Sequence, residues 1–137
     1  MHERSPTSDR LRGVMQAVTE RMLERMQHDG FYLCGEKRHD PTTWDINNGY
    51  CEEWATRVAD MMDQQVTVDE ADDEGVPFDG ERPEHVKWWT PAHIFVKHEG
   101  RFYDAECHEG VDRIVDLPLY RNAGKSREQV LQEREAR

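Results

Sequence analysis

The chain has 137 residues, enough for one domain with a modest core. Charged side chains make up 34 % of it and the formal net charge is −11, a sign that argues against nucleic acid and anionic membranes as partners. Three cysteines without a C-x-x-C pair, and no apolar run long enough to span a bilayer, are what a soluble cytoplasmic protein with free thiols is expected to show.

In chain order, residues 8–29 read as an amphipathic helix. Ser8 caps it, Leu11, Val14, Met15, Val18, Met22 and Met26 form one stripe, and Gly30 ends it. Phe31-Tyr32-Leu33-Cys34 reads as a short strand or packed turn, and 35–46 as a loop with Asp40-Pro41 as its breaker. Residues 47–64 read as a second helix, with cap chemistry in Asn47, Asn48 and Gly49 and an apolar stripe of Trp54, Ala55, Val58 and Met62. Val66-Thr67-Val68 starts a strand. The acidic run Asp69–Gly75 fails the calcium-loop spacing, so 69–85 is expected to be a solvated surface loop. From Val86 the pattern turns β, with antiparallel strands expected over 86–116 as Val86–Thr90, His93–His98, Arg101–Glu106 and Val111–Asp116. Leu117–Tyr120 reads as an extended exit, and Ser126-x-x-Gln129 opens a peripheral tail helix over 126–137. The predicted fold is a single α+β domain, 1–137, with the two helices packed on a small antiparallel sheet.

Cys51 falls in the first turn of the second helix. The unpaired N–H groups and positive dipole end there favour a thiolate, whereas Glu52 and Glu53 oppose a second anion. A nucleophilic cysteine needs a base, and the base needs an orienting acceptor. A two-residue turn at Glu99-Gly100 sets His98 opposite Arg101, Phe95 opposite Asp104 and His93 opposite Glu106. One sheet face then carries His93, Phe95, Phe102, Asp104 and Glu106, and the other the apolar set Ile94, Val96, Tyr103 and Ala105. His93 and Asp104 become diagonal neighbours, with Glu106 as the alternative orienter. Among Cys34, Cys107, His98 and His108 no ligand pair has a recognised zinc spacing except adjacent Cys107-His108, so no metal is expected.

The segments Asn48-Gly49-Tyr50-Cys51-Glu52-Glu53-Trp54-Ala55, His93-Ile94-Phe95-Val96 and Gly100-Arg101-Phe102-Tyr103-Asp104 resemble the papain-like and transglutaminase-like cysteine enzymes. The resemblance covers under a third of the chain. It implies Cys51 as nucleophile, His93 as general base then acid, and Asp104 as orienter. Papain's oxyanion glutamine lies six residues before its cysteine, where this chain has Asp45; Asn47 and Asn48 are the substitutes to consider. Trp44, Trp54 and Trp88 are candidates for a substrate rim. The expected function is a cysteine hydrolase or acyltransferase acting on a protein or peptide substrate (peptide, isopeptide, amide or thioester) without an organic cofactor. The rival is a non-catalytic scaffold of the same shape, or an acidic decoy that engages a protein partner. Substrate and oligomeric state are not set by the sequence.

Overall fold

A computed structural model of the chain describes residues 6–30, 40–77 and 93–136. Its elements are α1 (Pro6–Asp29), α2 (Thr43–Asn47), α3 (Cys51–Met61), β1 (Thr67–Ala71), β2 (His93–His98), β3 (Arg101–Asp104) and β4 (Cys107–Val111). A 3₁₀ turn (Ile114–Asp116), α4 (Pro118–Arg121) and α5 (Arg127–Glu135) follow. The four strands form one antiparallel sheet in the order β1-β2-β3-β4. The class is therefore α+β.

Strand alternation divides the interior in two. On one sheet face, Val96, Tyr103 and Ala105 pack with Leu11, Met15, Val18, Met22 and Met26 of α1 and with Trp54, Ala55 and Val58 of α3. On the other, Ala71 and Phe95 pack with Ile114 and Leu117, and Tyr120 closes over them. The sheet is thus covered on both sides, and the face that carries His93 and Asp104 is closed by the 3₁₀ turn and α4.

The β2–β3 hairpin has the register expected from its apolar grouping, with His98 paired to Arg101 and Val96 to Tyr103. Its two turn residues, Glu99 (φ 50) and Gly100 (φ 77), both adopt the left-handed backbone that a two-residue type I′ turn requires.

Several expected elements are corrected. Asp69, Glu70 and Ala71 are strand, paired to Phe95, Ile94 and His93, because an edge strand can turn its carboxylates to water while its backbone completes the ladder. Residues 43–47 form α2 rather than loop: the Thr42 N–H donates to Asp45 Oδ2 (2.8 Å), which closes the first turn. The fourth strand is Cys107–Val111, because the chain turns tightly to pair Asp104 with Cys107 and bulges between Phe102 and Asp104. The expected extended exit is α4, with Pro118 at a position where its fixed φ suits a helix start. The tail helix is not peripheral. Val130 is buried, Arg127 pairs with Asp45 and Arg134 pairs with Glu106. The expected strand Val86–Thr90 and segment Phe31–Cys34 lie outside the described residues. No described helix is long and apolar enough to cross a membrane.

Gly110 is the tightest backbone position in the sheet. It has φ +81, and a Cβ there would lie 2.6 Å from Tyr103 Cε1 and 2.8 Å from Tyr103 Cζ. Gly110→Ala combines left-handed strain with a clash against a packed ring, so it should cost about 1–3 kcal/mol or more. Gly100→Ala meets nothing within 4 Å and should cost less. Urea denaturation of the two variants checks the order.

Candidate active site

Cys51 is the first residue of α3, and Tyr50 precedes it as the N-cap, whose side chain does not cap the helix. The N-cap side chain therefore leaves the first-turn N–H groups around the sulfur to other partners. The expected cap residues lie outside the helix: Asn47 ends α2, and Asn48 and Gly49 form the link. Of the two acids beside Cys51, Glu53 is engaged by Arg25 of α1 and by Arg57 one turn on (3.8 Å), which reduces its opposition to a thiolate.

His93 opens β2 and is fully buried, as is Asp104 at the end of β3. Asp104 Oδ2 accepts a hydrogen bond from His93 Nε2 at 2.8 Å, and its Oδ1 accepts the Glu106 backbone N–H at 2.9 Å. Both carboxylate oxygens are thus fixed. The acceptor on Nε2 defines the tautomer, so Nδ1 is the ring nitrogen left for a thiol. Nδ1 has no hydrogen-bond partner among the described residues. Phe95 (ring centroids 5.8 Å) and Tyr120 (6.1 Å, edge-on) pack on the imidazole and keep it dry.

Burial alone would push the His93 pKa down. The hydrogen bond to Asp104, then the neighbouring Cys51, and the negative charge of Asp104 outweigh it, and the pKa rises from 6.5 to about 9. At neutral pH a ring with that pKa is an imidazolium, bonded through Nε2 to the Asp104 carboxylate. Nδ1 and the Cys51 sulfur form no hydrogen bond here; in sites without a bound substrate such bonds are often long or poorly aligned.

The other predicted residues fall as follows. Glu106 does not orient His93: its Oε1 accepts from Asn47 Nδ2 (2.7 Å) and its Oε2 from Arg134. Burial raises its pKa, against the hydrogen bond from Asn47 and the charge of Arg134. Asn47 is buried with Oδ1 unpartnered among the described residues, and Asn48 donates to the Trp44 carbonyl (2.8 Å). Asp45, at the position of papain's glutamine, is locked by Arg127 at 2.9 and 3.0 Å and has no donor to offer. Trp54 is a correction. It is 1 % exposed, donates Nε1–H to Thr19 Oγ1 (2.8 Å) and stacks on His108, so it belongs to the core rather than a rim. Trp44 is half-buried and lines a groove; Trp88 lies outside the described residues.

Sequence reasoning missed Tyr120, Arg127 and Arg134. Tyr120 donates its hydroxyl to the Asp72 carbonyl (2.9 Å), tying α4 to the turn after β1. Its pKa is raised by burial and then by the surrounding charges of Asp72, Cys51, Asp73 and Asp104. Comparison with protein-family models, curated proteins and solved structures finds no match. The functional assignment rests on this chain's own geometry.

The His93–Asp104 pair makes stability depend on pH. The folded-state pKa, about 9, lies above the ordinary 6.5, so the contribution is fully present below 6.5 and is lost as pH rises through 9. Urea midpoints should fall between pH 6.5 and 9.5 in the wild type. The fall should be shallower in Asp104→Asn, which keeps an acceptor but removes the charge.

Proposed function

We propose that the chain is a cysteine-nucleophile hydrolase or acyltransferase that acts on a peptide, isopeptide, amide or thioester, with the papain-like and transglutaminase-like likeness as a second support. The observation that carries it is the helix-start Cys51 beside a buried histidine whose far nitrogen is fixed by a buried aspartate. The Cys51 thiolate attacks the substrate carbonyl carbon. The tetrahedral oxyanion is met by the first-turn N–H groups of α3, the Cys51 N–H among them. As the carbon–nitrogen bond breaks, His93 Nδ1–H gives its proton to the leaving amine and an acyl-thioester remains. Neutral His93 then takes a proton from water or from an acceptor amine. That oxygen or nitrogen attacks the thioester and Cys51 leaves as thiolate, which restores the starting pair. Asp104 holds the ring tautomer and balances the imidazolium throughout.

Cys107 supplies an internal control, since burial raises its thiol pKa above the usual value. Iodoacetamide at pH 6–7 with peptide mapping should label Cys51 ahead of Cys107. Equal labelling would favour the rival acidic binding protein, in which the three side chains meet by accident. Asp104→Ala should slow alkylation of Cys51 by about tenfold or more, the size of a charge-assisted hydrogen bond in a dry setting. Glu106→Ala acts only at one remove, through Asn47 and Arg134, and should slow it less.

A further inference from the structure

A groove of about 260 Å³ borders the candidate site. Trp44 and Asn48 line it from the α2 side, Tyr120 and Lys125 from the α4 side, and Asp73 from the turn after β1. Tyr120 belongs both to this groove and to the wall of the His93 ring, and Asn48 stands three residues before Cys51. The groove and the reacting pair therefore share a boundary.

The charges on its lining are unequally matched. Lys125 is paired with Glu133 at 2.9 Å, and Glu106 is held by Arg134 and Asn47. Asp73 has no ion pair among the described residues and is exposed. The turn that presents it is fixed at both ends. Asp72 Oδ1 accepts the N–H groups of Glu74 and Val76 at 2.9 Å, and the Asp72 carbonyl accepts the Tyr120 hydroxyl. One unmatched carboxylate beside two aromatic side chains is the chemistry that selects an ammonium or guanidinium group. An anionic side chain would meet Asp73 with no unpaired cation among the described lining residues to offset it.

We propose that Asp73 is the specificity-determining carboxylate of a substrate groove that accepts a cationic side chain alongside Trp44 and Tyr120, next to the Cys51–His93 pair. This rests on Cys51 being the nucleophile. It narrows the substrate class to acyl compounds that carry a lysine- or arginine-like group near the scissile carbonyl.

Thiosulfonate reagents of opposite charge test the groove without a known substrate. The 137-residue chain is treated at low ionic strength with neutral iodoacetamide, with a trimethylammonium thiosulfonate and with a sulfonate-bearing one. The rate at Cys51 is read by peptide mapping. The cation-to-anion rate ratio, divided by the same ratio for a small free thiol, should be about tenfold or more. Asp73→Asn should bring the normalised ratio close to one, whereas Asp9→Asn, an equal charge change on α1, is the control and should keep the wild-type ratio. Asp73→Lys should invert the preference. A ratio that ignores Asp73, or falls equally in Asp9→Asn, overturns the groove while leaving the nucleophile intact if iodoacetamide still selects Cys51. Loss of that neutral selectivity overturns both.

Discussion

The arrangement depends on one buried hydrogen bond, that between His93 Nε2 and Asp104 Oδ2, with the two side chains 0 % and 1 % exposed. A charged pair without water is favourable only when its remaining polar atoms are satisfied. Asp104 meets that condition through the Glu106 N–H, because β3 turns tightly into β4 just after it, while His93 Nδ1 is the one atom of the pair without a partner among the described residues. The hairpin register, the bulge and the cover of Phe95 and Tyr120 all serve to hold this pair in place. Removing one partner from such a pair costs about 3–5 kcal/mol, so the same contact that shapes the site also holds the second core together.

The C-terminal helix carries more of the structure than its composition suggests. Asp45 and Glu106 are carboxylates with side chains 2 % exposed, and their cations, Arg127 and Arg134, both come from α5. On a chain of net charge −11, buried acids need such partners. Asp45 lies in α2 and Glu106 in the turn after β3, so α5 ties together the two segments that flank Cys51 and His93. Through Glu106 the tie reaches Asn47, four residues before the sulfur.

Much of the centre was legible because strand and helix periods are strict. Of the α1 stripe, Leu11, Met15, Val18, Met22 and Met26 are buried and Val14 partly so, and the parity of Ile94, Val96, Tyr103 and Ala105 fixed the hairpin register that joins His93 to Asp104. The edges were not legible. Asp69 and Glu70 have little intrinsic strand preference and become strand only because β2 offers them a ladder. Trp54 resembled a rim residue because nothing local reveals that Thr19 and His108, 35 and 54 positions away along the chain, complete a polar pocket for its indole. Tyr120 and the two arginines of α5 act across long loops, where no spacing rule carries information.

The central claim is that His93 is a charged partner of Cys51 and Asp104 rather than an ordinary buried imidazole. Its ring nitrogens can be followed by ¹⁵N–¹H correlation through a pH titration of the wild type and of Cys51→Ala. The predicted result is a tautomer with the proton on Nε2 once Nδ1 is free, a pKa near 9, and a clear downward shift when the sulfur is removed. A ring that titrates at or below 6.5, or one whose titration is the same with and without Cys51, would contradict the account.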